Sequence, residues 1–467
     1  MKKLFTGSFF VFFLLGFGSA YGQQDTTVKT IVGNGNQGYA GDGGPALSAE
    51  VDLVYGICLD DTGNIYLDDW NNHLVRKVSK KTGIINFIGG NGVAGYSGDG
   101  GPATSAEIHS PYGLTIDSVG NLYINDEVDN AVRKITASTK IITTIVSNGS
   151  GTQGYSGDGG PATSAQINNP HEGIVLDKAG NLYIGDYGNN CIRKVTKAGV
   201  ISTFAGIGGG GGYSGDGGPA SAAELNGPGG MVFDSSYTIL FFSDNSNNVI
   251  RKIDMRTGII STVVGIAGGG GYSGDGGKAT LAEINDPGYL AISPGDGSLL
   301  IADAQNNVVR RVDLKTRIIT TIVGNGVQGF AGDGGAPRKA EFAHLNMLAF
   351  TPTTPAQLLI GDDYNFRIRE LVITDASGID QIRNNDELTL YPNPATENIS
   401  LASSKSIMQG TIVALYDIFG KEVWSKDISD PATIVSFSIH GLSAGTYIVK
   451  ITPPGNNNTE VKKLVIY

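Results

Sequence analysis

Three of the five histidines, His109, His171 and His344, stand just before short apolar runs in separate parts of the chain. Three imidazoles with one open position can hold a catalytic zinc, which would give a metal-dependent lyase or hydrolase. The three fall at unequal offsets, however: eight, six and seven residues before the reference positions Asp117, Asp177 and Thr351. That irregularity favours surface or capping histidines. A second set, Asp42, Asp99, Asp158, Asp216, Asp275 and Asp333, lies in repeated Gly-Asp-Gly-Gly strings. Calcium wants six to eight oxygen ligands, and one carboxylate per loop supplies too few unless backbone carbonyls help. A tight turn with positive φ is the simpler reading of those strings. The third set pairs an aspartate with an arginine seven residues later: Asp69/Arg76, Asp126/Arg133, Asp186/Arg193, Asp244/Arg251, Asp303/Arg310 and Asp362/Arg369. One pair would suggest a charge relay. Six copies suggest a bidentate carboxylate–guanidinium bond bracing each copy of a repeated loop. No nucleophile–base arrangement, P-loop or cysteine metal cluster accompanies them. The expectation is therefore no catalytic residue and no cofactor, with calcium or zinc the metals these residues could hold.

The elements that position these residues repeat. The Gly-Asp-Gly-Gly aspartates recur at intervals of 57 to 59 residues, six times. Each interval holds four short runs rich in Val, Ile, Thr and Tyr: Tyr112 to Asp117, Asn121 to Asn125, Ala131 to Ile135 and Ile141 to Val146 in the second copy. Turn residues separate them, and no helical period is long enough for a crossover, so they read as antiparallel meanders. After Gly-Asp-Gly-Gly, the Pro and A-T-S-A-E of the second copy read as one short helical turn. Before the first copy stands one lone strand, Thr27 to Gly33. After the last Gly-Asp-Gly-Gly only three follow, Leu345 to Phe350, Gln357 to Ile360 and Phe366 to Val372. The expected fold is all-β: a six-bladed β-propeller closed by that N-terminal strand on its outer edge, then a small C-terminal β-sandwich.

After each repeat aspartate, the third position is Asn72, Asp129, Asn189, Asn247, Asn306 or Asn365, and Asn72-His73-Leu74 stands in the first copy. On these residues the array over 27–373 resembles the NHL repeat, which is specific for fold and not for function. Propellers of this kind include lyases, lactonase-like enzymes, sensors and adhesion modules. Peptidyl-α-hydroxyglycine α-amidating lyase, one of them, uses histidines on zinc, which is the family precedent for His109, His171 and His344. The aromatics before the glycine strings, Tyr39, Tyr96, Tyr155, Tyr213, Tyr272 and Phe330, either pack against a neighbouring blade or ring a ligand face.

The ends of the chain concern export. Residues 1–22 read as a signal peptide: Lys2 and Lys3, an apolar run from Leu4 to Phe17, and small residues up to a cut after Ala20 or Gly22. No later stretch reads as transmembrane. Two cysteines, Cys58 and Cys191, are too few for a disulfide framework and are expected to be buried free thiols. The net charge is −11, without a basic stripe, which argues against nucleic acid and anionic lipid as partners. Residues 374–387 read as a polar linker. From 388 to 467 the landmarks are Tyr391-Pro-Asn-Pro, Leu415-Tyr-Asp-Ile-Phe-Gly-Lys, Gly441-Leu-Ser-Ala-Gly-Thr-Tyr447 and the terminal Lys462-Lys-Leu-Val-Ile-Tyr467. This segment resembles the type A sorting domain of the type IX secretion system of Bacteroidota. The resemblance implies handling by that machinery, removal of the domain by its sortase, and a product that is secreted or held at the outer-membrane surface. The functional expectation is a binding scaffold for a peptide, glycan or protein. The alternatives are the metal-dependent enzyme and a structural envelope component.

Overall fold

Runs of β-branched and aromatic residues suit a pleated, half-buried surface, and Gly, Asn and Asp between them end each run. In the computed structural model, residues 25–147 and 151–374 are described, together with 389–466 except 392–397, 408, 418–420, 440–441, 444, 453 and 455–459. The chain divides into two compact units after Ala376. Among the described residues of the first unit stand six four-stranded antiparallel sheets, numbered here as repeats 1 to 6. Repeat 2 runs Pro111–Ile116, Leu122–Asp126, Ala131–Ile135 and Ile142–Val146, hydrogen-bonded in that order. The first strands pack side by side from Ile57–Leu59 in repeat 1 to Leu348–Phe350 in repeat 6, and the sixth packs against the first. They therefore surround an axis. The cores lie between successive sheets: Tyr66 and Val75 of repeat 1 pack with Leu114 and Ile124 of repeat 2.

The lone N-terminal strand, Asp25–Val32, pairs antiparallel with Arg367–Thr374 and forms the outer edge of repeat 6. It repeats a contact made by fourth strands elsewhere. Thr30 donates its N–H (3.0 Å) and hydroxyl (2.6 Å) to Asp333. Thr144 and Thr262 each donate an N–H to Asp99 and Asp216 at 2.9 Å. The expected helical turns are single 3-10 turns such as Ala103–Ser105, and Pro102 precedes the turn in an extended conformation instead of opening it. Both cysteines are free. Cys191 is buried as expected, but Cys58 is only partly so, because it lies on a first strand whose edge faces the axis.

In the second unit one sheet orders Thr389–Tyr391, Asn398–Ile407 and Ala432–Ser438. The other orders Glu422–Asp427, Ile412–Tyr416, Gly445–Thr452 and Glu460–Ile466. Leu401 and Phe437 of one sheet share an apolar cluster with Leu415 and Val449 of the other. Thr374, expected to open the linker, is instead the last residue of the strand Arg367–Thr374. The leader at 1–22, the rest of the linker at 375–387, and the landmarks at Pro392 to Pro394, Ile418 to Gly420 and Gly441 lie outside the described residues. No helix among the described residues is long and apolar enough to cross a membrane.

Candidate functional site

The repeat arginines are fully buried in all six sheets. Each is a fork across two carboxylates, where the spacing suggested a bidentate bond to one. Arg251 donates Nη1 to Asp244 (3.4 Å) and the Glu224 carbonyl (3.0 Å), and Nη2 to Asp216 (2.7 Å) and the Ser214 carbonyl (2.8 Å). The same fork joins Arg76 to Asp69 and Asp42, and Arg133 to Asp126 and Asp99. It joins Arg193 to Asp186 and Asp158, Arg310 to Asp303 and Asp275, and Arg369 to Asp362 and Asp333. The Gly-Asp-Gly-Gly carboxylates are thus the outer arms of six braces. Burial holds the inner Asp244 up at about 6 despite the arginine. For the outer Asp216 burial is the largest single influence too, but the Thr262 N–H and Arg251 together outweigh it and keep its pKa below the usual range. Aromatic rings cover the guanidinium groups from outside. Tyr213 lies 5.1 Å from Arg251 and shares a 2.8 Å hydrogen bond with Thr262. Tyr96, Tyr155, Tyr272 and Phe330 lie over the arginines of their own repeats in the same way. Tyr39 is 62% exposed.

In repeats 1 to 5 the turn after the second strand also locks the next repeat. Its last residue is left-handed, and Asn tolerates that conformation. Asn190, Asn248 and Asn307 each accept an N–H from the following sheet, at Gly227, Asp286 and His344 (2.8–2.9 Å). His73 does so with its ring nitrogen, for Ser110 at 3.2 Å.

The structure gives each candidate histidine its own carboxylate. His109 lies 3.7 Å from Asp129 and edge-on to His73. His171 lies 3.8 Å from Glu127 and 3.1 Å from Glu172. The second contact is misaligned for a hydrogen bond and leaves both atoms without one. His344 lies 3.0 Å from Asp363 and 3.9 Å from Asp286. Among the described residues, no group of three or more His, Cys, Asp or Glu side chains is placed to hold a metal ion.

His171 and His344 instead belong to an aromatic arc at one end of the axis. Trp70 meets Tyr55 edge-on at 5.8 Å, Tyr55 stacks on Tyr112 at 4.6 Å, and Tyr112 stacks on His171 at 3.7 Å. Tyr187 continues the row at 4.7 Å from His171, and Tyr364 stacks on His344 at 4.8 Å. Trp70, Glu127, Tyr187 and Asp363 each directly follow a repeat aspartate, while Tyr55, Tyr112 and His171 stand at the starts of first strands. Two positions per repeat thus supply most of the arc, and His344 and Tyr364 join it from two others. The Trp70 indole donates to Glu127 at 2.7 Å.

Repeat 3 departs from the pattern by one inserted residue. Pro170 and Ile174 of its first strand pair with Asp186 and Ile184, whereas Pro111 and Leu114 pair with Asp126 and Ile124. The extra residue brings in Glu172, which accepts a 3.3 Å hydrogen bond from Asn346 of repeat 6. Glycines make room for this pair in repeats 4 and 5. A Cβ at Gly229 would sit 2.6 Å from the Glu172 carboxylate, and one at Gly288 would overlap Asn346. Below them Gly113 presses on the Glu172 carbonyl, where a Cβ would lie 2.7 Å away, and Gly230 presses on the Gly288 carbonyl, at 2.6 Å. The first strands approach so closely here that the axis is narrowed.

Burial opposes a charge on His344, but the hydrogen bond to Asp363 and the nearby Asp286 carboxylate outweigh it and hold its pKa up at about 10, against 6.5 for a free imidazole. The folded state therefore keeps this proton over a range where the unfolded chain has lost it. The resulting stability is complete below the unfolded value and is lost as pH rises toward the folded one. Denaturant titrations should show stability falling between pH 6.5 and about 10. His344→Gln should flatten that fall, and an unchanged slope in the variant would contradict the assignment.

Sequence reasoning singled out His171 and His344 and missed their neighbours Trp70, Tyr55, Tyr112, Glu127, Glu172 and Asp363. The available signal was departure from the period, since the position after the repeat aspartate reads Trp, Glu, Tyr, Asn, Ala and Asp around the array.

Comparison with known proteins agrees with this architecture. Residues 389–467 match the secretion system C-terminal sorting domain. Among curated relatives, the chloroplastic protein Suppressor of quenching 1 of Arabidopsis thaliana is 23% identical over 78% of this chain and 34% of its own length. NHL repeat-containing protein 2 of Gallus gallus is 23% identical over 55% of this chain and 38% of its own. The chain thus spans only about a third of these relatives' lengths. Among solved structures, an auxiliary nutrient binding protein from Bacteroides thetaiotaomicron superposes with a TM-score of 0.53 at 17% identity, covering 75% of this chain and 77% of that one. One from Bacteroides ovatus gives 0.55 at 14% identity, covering 75% and 77%. These likenesses concern fold. The repeat array is an NHL-type β-propeller, and the chain ends in a type IX sorting domain, which marks a secreted or cell-surface protein.

Proposed function

We propose that the mature protein is a secreted or surface-attached binding scaffold, a six-bladed ring closed by its N-terminal strand and carried outward by a C-terminal sorting sandwich. The ligand site is the mouth of the axis, and the group it receives is a cationic amine carried by a peptide, glycan or protein. One observation carries this reading: an arc of aromatic rings backed by more carboxylates than imidazoles. Glu127, Glu172, Asp286 and Asp363 face His171 and His344 there. Ring faces attract cations, and the surplus carboxylates complement the charge. Nutrient binding by proteins of similar fold supports a scaffold over an enzyme. The imidazoles are paired with carboxylates and, among the described residues, are not grouped to hold a metal, so the metal-dependent reading gains nothing from the geometry.

Two experiments test this. Arrays of peptides and glycans probed with the propeller should return amine-bearing ligands whose binding drops about tenfold or more in Trp70→Ala. Binders that ignore that substitution would move the site elsewhere. For the export half, the protein secreted by a type IX-competent host should have a mass that lacks residues after about 387. Secreted protein with its C-terminus intact would refute the tag reading.

A further inference from the structure

At the other end of the axis lies a cavity of about 1370 Å³, lined by the first strands of all six repeats. It exceeds the roughly 300–1,000 Å³ of common small-molecule sites. One residue per repeat at the same register forms a collar around it: Leu59, Ile116, Leu176, Phe233, Ile292 and Phe350. All six are partly exposed. Each packs one side against a core between sheets, and the parts left open at equivalent positions form a coherent apolar surface, unlike scattered surface hydrophobics. The carboxylates near the rim are engaged locally. Asp117 accepts the N–H and side-chain amide of Asn121 at 2.8 Å each, and Asp177 those of Asn181 at 2.9 and 2.7 Å. Of the lysines in the lining, Lys134 and Lys178 lie over Tyr123 and Tyr237, and the collar supplies the apolar part of the surface.

The inner end carries a second, independent observation. Tyr289 lines the cavity and is 8% exposed, and its hydroxyl has no hydrogen-bond partner. Beside it, across the space kept open by Gly56, the Asp68 carboxylate has one oxygen equally unpartnered and fully buried. Leaving two buried polar groups unpaired costs free energy that a hydrogen-bonding ligand atom would recover.

We infer that this cavity is a second binding site, for a small apolar molecule bearing one hydrogen-bonding group, which enters past the collar with its polar end toward Tyr289. It is separate from the mouth in place and in chemistry, since Glu172, Asn346 and the glycine approaches lie between the two. The collar takes the apolar body, and the Tyr289 hydroxyl takes the polar end, with the buried Asp68 carboxylate beside it.

N-phenyl-1-naphthylamine, an apolar amine that fluoresces when removed from water, is a direct probe. Titrated into the intact protein, it should bind saturably at one molecule per chain. Ile292→Arg, which puts a charge in the collar, should weaken it about tenfold or more, with the melting temperature unchanged. If that variant does not fold, Phe350→Ser should weaken binding in the same direction by a smaller factor. Trp70→Ala, which removes an aromatic of the mouth, should leave the affinity unchanged, so failure of one site is distinguishable from failure of the other. No saturable binding, or affinity unaffected by both collar variants, would overturn the assignment.

Discussion

Arg251→Met is expected to lower the stability of the propeller by about 3–5 kcal/mol, the cost of leaving a buried charge without its partner. Two carboxylates lose a donor at once. Asp244, fully buried, keeps the N–H of Asn226 (2.7 Å) but loses the guanidinium, and two backbone carbonyls lose their donor as well. Arg256→Met is the control, because its ion pair with Asp254 leaves the arginine 73% exposed, and pairs of that kind contribute little. Denaturant midpoints of the two variants should differ widely. Removing both sides of the brace, in Arg251→Met with Asp244→Leu, should recover part of the loss, since the stranded carboxylate is then gone. Equal midpoints for the Arg251 and Arg256 variants would show that the braces are not what holds the loops.

Deleting residues 25–32 should have the larger effect on the state of the protein. It strips the outer strand from Arg367–Thr374 and leaves a full row of unpaired N–H and C=O groups on an eight-residue edge. It also removes both hydrogen bonds from Thr30 to Asp333. Exposed edges of this length pair with other chains. Light scattering should show oligomers or aggregate where the full chain is uniform, and protease should cut repeat 6 first. A synthetic Asp25–Val32 peptide added in trans should restore protection, because backbone pairing supplies the affinity in strand addition. A deleted protein that stays monomeric and resistant would mean that the N-terminal strand is dispensable for closure.

Local regularities were readable from the sequence alone. The Asp-x6-Arg spacing and the lone strand at 27–33 are period-bound, and the sheets follow them residue for residue in Ala131–Ile135. The edge pairing was legible because one strand precedes the first copy and only three follow the last Gly-Asp-Gly-Gly, and Thr30 takes the place that Thr144 and Thr262 hold elsewhere. What escaped was long-range. The outer arm of each fork comes from 34 to 36 residues upstream, as Asp42 does for Arg76 and Asp333 for Arg369. No local pattern ties a Gly-Asp-Gly-Gly carboxylate to that guanidinium, so calcium and a plain turn were the only roles in view. The mouth was harder still. Trp70, Glu127 and Asp363 occupy one position of the repeat and differ because each meets a different neighbour, so a search for sameness passes over them. The inserted residue at His171-Glu172 did leave a trace, since His171 stands six residues before Asp177 where Tyr55 and Tyr112 stand five before Asp60 and Asp117, and its meaning needed the pairing register. The cavity collar was hidden because Leu59, Ile116 and Leu176 look like ordinary strand core until the strands are arranged about an axis.

The central claim is that the mouth recognises a cationic amine between aromatic rings and carboxylates. Its most direct test is calorimetry of the mature propeller with one array-derived ligand and with the same ligand N-acetylated at its amine. Acetylation removes the charge and leaves the rest of the molecule in place. The account predicts that the acetylated form binds about tenfold or more weakly, and that Glu127→Gln narrows the gap between the two. Equal affinity for both forms would contradict it.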